Sequence, residues 1–533
     1  MPAQAHPAEA AEALARHERL VAGLVGRLAA GTPGQDPVVV RTHISTVILA
    51  GETAYKLKRP VLLPFLDFSL LSQRRFFLEE ELRINRRTAP GLYRDVLPLT
   101  GTVDRPAIGG TGEPIEWMLR MRRFDADGEF AAMARAGLLR PAHVEALARH
   151  IATFHVGLAP LTTAPPGALP PKDARQWALE NLDEIAAHPL RPAGCEAADV
   201  AALRRDLERA FDAAQGLIDR RRAQGFVREG HGDLHLGNIV NWRGEVLAFD
   251  AIEFDARLRV IDIVSDAAFT FMDLLAHGLR PLAWRFINTW ATHTGDHEGL
   301  TLLRLYAAYR ALVRAKVALL GGGGDAQAFG TYWALARQLT RGPARARLVV
   351  TMGLSGSGKS TVARRLADEL GAVWLRSDVE RKRLHGLAPS ERPPAGSPLY
   401  SPQATRRTYA RLGALAETLL AAGLPVVVDA ASLRCDERQA LHALAARQGV
   451  DFSLVVCSAP PERLRERIEA RQALGDDPSD ATVEVLALQQ RVQEPLTPDE
   501  RRHAVQVVND GTLSALEAQV DRLAAAWAAS QGV

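Results

Sequence analysis

The spacing of apolar residues predicts a mixture of helices and strands in the first quarter of the chain. Residues 8–30 carry Ala and Leu at helical spacing before a Gly and a Pro, which predicts one amphipathic helix. Residues 38–58 change to short apolar runs around the turn G-E-T, which predicts a β-hairpin. A helix is then predicted at 69–88, and strands at 92–100 and 115–124.

Helical patterns dominate the middle of the chain and give way to a different arrangement near its end. Helices are predicted over 140–225, broken by a proline-rich loop at 160–172, and again over 262–339. A loop with two short strands is predicted at 228–250. After the apolar run R-L-V-V-T-M-G, strands and helices alternate to the end of the sequence, as in an α/β domain with a parallel sheet.

Composition narrows the class of protein. A chain of 533 residues exceeds one ordinary core, so two or three domains are expected. The net charge of +3 gives no argument for nucleic-acid binding by a basic surface. The three cysteines lie far apart without metal-ligand spacing, which fits a reducing compartment. The N-terminus has charges where a signal peptide needs apolar residues, and no run of about 18 uncharged apolar residues occurs, so we expect a cytoplasmic protein without membrane contact.

A phosphate-binding loop is predicted where the α/β alternation begins. The segment G-L-S-G-S-G-K-S-T, residues 353–361, fits G-x-x-x-x-G-K-[ST] and lies between a predicted strand and a predicted helix. Its glycines allow backbone N–H groups to surround phosphate oxygens, Lys359 would reach the β- and γ-phosphates, and the Ser360 hydroxyl would hold Mg²⁺. The predicted nucleotide contacts are Gly353, Ser355, Gly356, Ser357, Gly358, Lys359, Ser360 and Thr361.

Three further features of this part suit phosphoryl transfer. Asp378 follows a predicted strand and could accept the proton of a hydroxyl, with Arg381 one turn later holding an anionic part of the substrate; a helix cap at Ser377 or Asp378 is an equal alternative. Asp429 ends another apolar strand and is either a metal-site residue or a structural strand end. A later helix presents three arginines on one face, either as a lid over the phosphates or as a solvated charged surface: Arg463, Arg467 and Arg471.

Residues 348–530 together resemble the small P-loop kinases, which include gluconate kinase, polynucleotide 5′-hydroxyl kinase and the zeta-type toxins. The D-x-x-R element is similar to the polynucleotide-kinase pattern, which implies Asp378 as the general base and Arg381 as a contact to a substrate phosphate. The resemblance also implies Arg467 and Arg471 as nucleotide contacts.

A second kinase pattern lies in the N-terminal part. H-G-D-L-H-L-G-N, residues 231–238, contains H-G-D-x-x-x-x-N before two strand-like runs. By analogy with the catalytic loop of kinases, Asp233 would accept the hydroxyl proton and Asn238 would bind Mg²⁺. Asp250, at the end of an apolar strand, would be the main Mg²⁺ ligand. We expect His231 to brace the loop backbone. The alternative is a polar turn with capping residues.

Residues 35–340 resemble the aminoglycoside phosphotransferase and choline kinase family. The resemblance implies that Asp266 is a structural brace. The chain departs from the family pattern in having no clear glycine-rich phosphate loop over the nucleotide; only the turn at residues 50–53 is available. The fold class predicted for the whole chain is an α+β protein-kinase-like bilobal domain followed by an α/β P-loop NTPase domain with a parallel sheet. The predicted limits are a helix at 1–34, a kinase-like domain at 35–340 (N-lobe about 35–125, C-lobe about 126–340), a linker at 341–347 and the P-loop domain at 348–533.

Two neighbouring lysines suggest the nucleotide contact of the first domain. The chain has six lysines among 65 Lys and Arg, yet Lys56 and Lys58 occur two residues apart in A-Y-K-L-K. A compact ammonium survives where a guanidinium does not fit, as between phosphate oxygens. A-Y-K resembles the kinase A-x-K pattern, which implies Lys56 paired with Glu81, with Lys58 and Glu80 as the alternatives. Two lysines on a solvated edge strand are the remaining interpretation.

The sequence thus supports an ATP- and Mg²⁺-dependent kinase, with three hypotheses for its activity. Both domains could transfer the γ-phosphate of ATP to hydroxyl groups of small molecules. The P-loop domain could instead act on the 5′-hydroxyl of a nucleic acid. Alternatively, the chain has a single kinase activity, and one domain binds ATP only as a sensor or scaffold. Fold-level resemblance does not identify the acceptors.

Overall fold

The computed structural model describes residues 7–31, 36–63, 66–162, 173–189, 194–320, 325–341, 346–392, 397–474 and 479–529. Contacts within it group the chain into two compact units. The first unit comprises Met1–Leu139, Phe154–Lys172 and Ile218–Asp266, and the second comprises Arg140–Thr153, Asp173–Leu217 and Ala267–Val533. The predicted linker at 341–347 lies mostly outside the described residues, so the predicted domain limits stay predictions.

The first unit is built on a six-stranded sheet whose hydrogen-bonded neighbours are antiparallel. The strands of this part of the chain are β1 Val38–Arg41, β2 Ser45–Ala50, β3 Thr53–Lys58, β4 Leu62–Leu63, β5 Leu66–Asp67, β6 Tyr93–Gly101, β7 Pro106–Ile108 and β8 Glu116–Arg122. The sheet order is β1-β2-β3-β8-β6-β7, and β4 and β5 form a separate pair. The predicted hairpin is therefore confirmed as β2 and β3.

Two helices, α1 Pro7–Gly31 and α2 Leu71–Asn85, border this sheet. Leu24 of α1 is fully buried against Ile48 and Leu57, as the predicted amphipathic pattern requires. Because successive strand residues point to opposite faces, Leu57 and the lysines beside it face opposite ways. Lys56 and Lys58 accordingly point toward α2, where both reach Glu81. The alternation of β3 thus places the two lysines together.

The central part of the chain is mainly helical, in agreement with its periodicity. Its helices are α3 Phe130–Arg135, α4 Pro141–Gly157, α5 Ala174–Ala187, α6 Ala197–Ala223, α7 Ile263–Ala276, α8 Arg280–Thr294, α9 Leu303–Leu320 and α10 Ala326–Thr340. Its strands are β9 Val227–Glu229, β10 Ile239–Trp242, β11 Glu245–Ala248 and β12 Val260–Asp262. β10 pairs with β11 and β9 with β12, both antiparallel, so the short strands follow the predicted loop.

The second unit contains a five-stranded parallel sheet in the order β14-β15-β13-β16-β17. Its strands are β13 Arg347–Met352, β14 Val373–Arg376, β15 Val426–Asp429, β16 Asp451–Ser458 and β17 Ala504–Val508. The helices between and after them are α11 Lys359–Leu370, α12 Ser377–Leu384, α13 Pro402–Ala421, α14 Cys435–Gln448, α15 Pro461–Leu474, α16 Val483–Val492, α17 Pro498–Arg502 and α18 Leu513–Ala529. All residues of β13 and β15 are buried, as in a sheet covered on both faces. The predicted fold class is confirmed.

Helix α8 contacts the edge of this parallel sheet within the second unit. The Asn288 side chain donates to the Ala372 carbonyl and accepts from the Trp374 amide, each at 2.9 Å. β14 is an edge strand, and Asn288 satisfies backbone groups that would otherwise lack a strand partner. Beside it, Arg285 pairs with the buried Asp368 of α11. The helix after the phosphate loop and the strand leading to Asp378 are therefore both supported by α8.

Replacement of Asn288 tests this support. In Asn288→Ala the Ala372 carbonyl and the Trp374 amide lose their partners while buried, so we expect a loss of about 1–3 kcal/mol in the free energy of unfolding, measured by urea denaturation. The matched control is Thr289→Ala, since among the described residues the Thr289 hydroxyl bonds the carbonyl of Arg285 in its own helix, and its free energy of unfolding should change by no more than about 0.5 kcal/mol. Equal stability of the two variants would contradict the edge contact.

Candidate active sites

The predicted phosphate loop lies between β13 and α11 in a conformation that requires glycine. Gly356 and Gly358 have φ of 83° and 92°, in the left-handed region that side chains avoid. A Cβ on Gly356 would lie 2.5 Å from the Leu464 carbonyl oxygen, and one on Gly358 would lie 2.3 Å from the Asn509 side-chain amide. Both glycines are thus fixed by backbone conformation and by close packing.

Two amides that the sequence analysis missed hold this loop in place. The Ser355 N–H donates to Gln489 Oε1 at 2.8 Å, and Asn509 Nδ2 donates to the Ser357 carbonyl at 3.1 Å. Arg467 bonds Asn509 Oδ1 at 3.1 Å and the Gly356 carbonyl at 3.3 Å. Gln489 and Asn509 lie 134 and 152 residues after the loop residues that they bond, and only the position of Asn509 just after a strand could have suggested a role.

The loop lines a cavity of about 310 Å³ that brings most of the predicted residues together. The predicted residues lining it are Ser355, Gly356, Gly358, Lys359, Ser360, Thr361, Asp378, Arg381, Asp429, Arg467 and Arg471. Gly353 and Ser357 do not line it; the Gly353 N–H donates to the Ala431 carbonyl, and Ser357 is buried beneath the loop. The cavity also contains Tyr400 and Tyr409, which the sequence analysis did not single out.

Asp378 and Arg381 lie on the first turns of α12 and are not its caps. The N-cap is Arg376, without a side-chain capping bond, so the capping alternative for Ser377 and Asp378 is wrong. Arg381 Nη1 donates to the Leu399 carbonyl and to Thr405 Oγ1, each at 3.1 Å, and its guanidinium lies 5.2 Å from the Tyr400 ring centre. Arg381 is therefore fixed at the wall of the cavity.

Burial shifts the pKa values of two ionisable groups around the loop. Burial lowers the pKa of Lys359, whose Nζ donates to the Leu354 carbonyl at 2.8 Å. Burial also raises the pKa of Asp429, against the opposing effects of Arg376 and of a hydrogen bond from Ser360. Asp429 is thus next to the hydroxyl predicted to hold Mg²⁺.

The three lid arginines of α15 differ in their surroundings. Arg463 pairs with Glu466 on the exposed surface and is not among the residues lining the cavity. Arg471 lines the cavity, and its Nε and Nη2 are buried without a hydrogen-bond partner among the described atoms. Because buried guanidinium groups are normally paired, Arg471 has donors available for an anionic ligand.

In the first unit, Lys56 lies between its predicted partner Glu81 and the predicted metal ligand Asp250. Its Nζ is 2.7 Å from Glu81 Oε1 and 2.6 Å from Asp250 Oδ1. Glu80 instead pairs with Arg83 and Arg259, so the geometry selects Glu81. Burial opposes the charge of Lys56, but Asp250 and Glu81 raise its pKa well above the ordinary value. Lys56 is therefore a fixed cation beside the predicted metal ligand.

Asp250 has a backbone conformation that its neighbours maintain. Its φ is 59°, in the left-handed region, which costs on the order of 1–3 kcal/mol for a residue with a side chain. The Asp250 N–H donates to the Tyr93 hydroxyl oxygen at 3.1 Å, and the Ala251 N–H donates to Asn85 Oδ1 at 2.8 Å. These two bonds direct the Asp250 carboxylate to Lys56. Burial alone would raise the pKa of Asp250, but Lys56 holds it below its usual value.

The loop at residues 231–238 is organised by Asp266. Its carboxylate accepts from the N–H groups of His231 at 2.7 Å and Gly232 at 2.9 Å, and it lies 3.0 Å from Nε2 of His155. His231 in turn contacts the Phe249 carbonyl through Nε2 at 3.0 Å and accepts from the Asp233 N–H through Nδ1 at 3.3 Å. These contacts agree with the expected bracing roles of Asp266 and His231.

The same loop joins Asp233 to Asn238. Asn238 Nδ2 donates to the Asp233 carbonyl at 3.0 Å and to its Oδ2 at 2.9 Å. Both donors of the amide face Asp233, so the amide oxygen is the atom of Asn238 suited to the predicted metal contact. Asp233 also influences the pKa of Asp250. The loop therefore places a carboxylate base candidate and an oxygen ligand beside Asp250.

Comparisons with known proteins find a matching family model and similar sequences. A family model described as "AAA domain" matches residues 348–496. The "Uncharacterized protein Rv2004c" of Mycobacterium tuberculosis is 32% identical over 458 residues, which are 84% of this chain and 88% of the relative. The "Uncharacterized protein Mb2027c" of Mycobacterium bovis matches with the same identity and coverage.

Several solved structures are similar to parts of the chain. A choline/ethanolamine kinase family protein from Mesorhizobium loti covers 61% of this chain and 96% of its own, at 12% identity and a TM-score of 0.39. A gluconokinase from Sinorhizobium meliloti covers 35% and 96%, at 22% identity and a TM-score of 0.26. The APS kinase CysC of Mycobacterium tuberculosis covers 34% and 98%, at 26% identity and a TM-score of 0.24.

The family match and the intact phosphate loop confirm the predicted P-loop kinase part, and the predicted enzyme class, an ATP-dependent kinase, is confirmed with it. No helix within the described ranges combines the length and apolar content that a membrane crossing requires.

The bracing role of Asp266 predicts a pH dependence of stability. Burial alone would raise the pKa of Asp266, but His155 and the His231 N–H hold it at about 2, below the unfolded value of about 3.9. A depressed carboxylate pKa stabilises the fold above the unfolded pKa, so this contribution, about 2.5 kcal/mol, should be lost as the pH falls from about 4 to 2.

Denaturation at several pH values tests this contribution. Asp266→Asn should lose stability at pH 7 and show a flatter pH profile below pH 4 than the unchanged chain. The control is Asp95→Asn, a half-exposed carboxylate paired with Arg120, which should change stability by about 1 kcal/mol or less. An Asp266→Asn profile parallel to that of the unchanged chain would refute the brace.

Proposed function

The chain belongs to the same family as the mycobacterial protein Rv2004c, and we propose that it is an ATP- and Mg²⁺-dependent phosphotransferase with two nucleotide sites. Each site would transfer the γ-phosphate of ATP to a hydroxyl acceptor. The observation that supports this most is that each compact unit contains a lysine that could hold phosphate, oxygen atoms that could bind a metal and a carboxylate that could accept a proton. Lys56, Asp250 and Asp233 form this set in the first unit.

In the first site, Asp233 would take the proton of the acceptor hydroxyl, and the Asn238 amide keeps Oδ2 of that carboxylate oriented. Lys56 would hold nucleotide phosphates, positioned by Glu81. Asp250 and the Asn238 amide oxygen offer the oxygen ligands that Mg²⁺ prefers, so the donor set fits the ion. When bound, Mg²⁺ would supply charge neutralisation for the transferred phosphoryl group.

In the second site, the phosphate loop and Lys359 would hold the nucleotide, and the Ser360 hydroxyl next to Asp429 would be the metal contact. Asp378 would receive the acceptor proton, and Arg381 would fix the acceptor at the cavity wall. The donors of Arg471 that have no partner among the described atoms would stabilise negative charge on the phosphoryl group. Asn509 and Gln489 keep the loop in its binding shape.

Paired variants of the two sites test the proposal. In the presence of ATP and Mg²⁺, the chain is screened against sugars, nucleosides, amino-alcohols and 5′-hydroxyl oligonucleotides by following γ-phosphate transfer. Asp233→Asn should abolish one acceptor activity and leave the other, because it removes only the base of the first site. Lys359→Ala should do the reverse. Arg463→Ala is the control, since its exposed pair with Glu466 lies outside the cavity, and it should retain both activities.

The outcomes separate the hypotheses left open by the sequence. Two activities lost independently support two catalytic sites. A single activity that only one of the two variants removes identifies the other unit as a sensor or scaffold and refutes the two-site proposal. Transfer to an oligonucleotide that Lys359→Ala removes would assign a nucleic-acid end to the P-loop site.

A further inference from the structure

Lys58 forms, with Lys56, a row of alternating charges along one side of the first site. Glu81 lies between the two lysines, with Oε1 2.7 Å from Lys56 Nζ and Oε2 2.6 Å from Lys58 Nζ. Beyond Lys56 the row ends at Asp250, and beyond Lys58 it ends at Glu253. Both lysines therefore bond Glu81, and each also bonds a carboxylate of its own, Asp250 for Lys56 and Glu253 for Lys58.

The two ends of this row differ in their access to solvent. Lys58 is fully buried, its side chain lies over the Phe68 ring at 5.3 Å, and Glu81 and Glu253 are also buried. At the other end, 12% of the Lys56 side chain and 44% of the Asp250 side chain are exposed. A solvent-borne phosphate can thus reach Lys56, whereas Lys58 is closed off by the protein.

The buried end imposes a constraint on any movement of Lys56. Glu81 is fully buried, and a buried carboxylate without a cation is costly. If Lys56 were its only counter-ion, a ligand that draws the ammonium away would leave Glu81 unpaired. With Lys58 on the second oxygen, Glu81 keeps a cation whatever Lys56 contacts.

We propose that Lys58 is a positioning residue that keeps Glu81 paired, so that Lys56 can exchange Asp250 for a nucleotide phosphate. The inference rests on the proposed nucleotide site of the first unit. It gives the two lysines separate tasks: Lys56 touches the nucleotide, and Lys58 with Glu253 holds the carboxylate that orients Lys56. When all are ionised, the two ammonium groups and three carboxylates carry a net charge of −1, which favours binding of a cation at the exposed Asp250 end.

Substitution of the buried pair tests this division. The parent is the full chain with Lys359→Ala, so that binding of a non-hydrolysable ATP analogue with Mg²⁺ reports the first site. In Lys58→Met/Glu253→Gln both buried charges are removed together, which avoids an unpaired carboxylate at position 253. Glu81 then has only Lys56, and we expect the affinity to fall about tenfold, or about 1.4 kcal/mol. The matched control is Glu253→Gln, which keeps Lys58 bonded to Glu81. Its affinity for the analogue should stay within about twofold of the parent's.

The readouts separate a positioning role from a general loss of structure. Thermal unfolding of each variant verifies the fold, and the KM for ATP in the first-site reaction should rise in the double variant with kcat changed less. A folded double variant with the parent's affinity would overturn the inference. A parent whose analogue binding is unaffected by Lys56→Met would instead overturn the proposed nucleotide site itself.

A measurement on the unsubstituted chain covers the case in which the double variant does not fold. An acyl-phosphate derivative of ATP transfers its acyl group to a lysine that touches the phosphates, and mass spectrometry of the peptide containing A-Y-K-L-K identifies which one. We expect acylation of Lys56 and of Lys359, each suppressed by excess ATP, and none of Lys58. Acylation of Lys58 in place of Lys56 would contradict the division of tasks.

Discussion

Glu81 is a fully buried carboxylate whose two oxygens each bond one ammonium group, and these two contacts offset the cost of burying its charge. The rest of the first site depends on this arrangement. It fixes α2 against β3, directs Lys56 to Asp250, and so brings the predicted phosphate contact next to the predicted metal ligand. The second unit follows the same rule in a different place, where Arg285 of α8 pairs with the buried Asp368 of α11. In each case a buried pair fixes a helix whose neighbouring residues belong to a site.

The parts of the sites that lie in one continuous segment could be predicted from the sequence. The phosphate loop combines its glycines, its lysine and its hydroxyl within nine residues, and strand and helix patterns on either side fix its context. The loop at 231–238 is equally local, and alternation along β3 was enough to place Lys56 and Lys58 on one face. These segments carry their geometry in their own backbone conformation.

The parts that depend on distant segments could not be predicted. Gln489 and Asn509 reach the phosphate loop only because α16 and β17 fold beside it. The choice between Lys56 and Lys58 presumed a single partner for Glu81, while the position of α2 allows both lysines to bond it. The support of β14 by Asn288 likewise follows from the packing of α8 and not from any local pattern. Long-range packing therefore decided what periodicity left open.

The stoichiometry of nucleotide binding distinguishes a chain with two nucleotide sites from a chain with one. Equilibrium dialysis of the full chain with a non-hydrolysable ATP analogue and Mg²⁺ measures the number of nucleotides bound at saturation. We expect two nucleotides per chain, falling to one in Lys359→Ala and to one in Lys56→Met, because each change removes the lysine contact of one site only. A saturation value of one for the unsubstituted chain, abolished by either substitution alone, would contradict the proposal of two nucleotide sites.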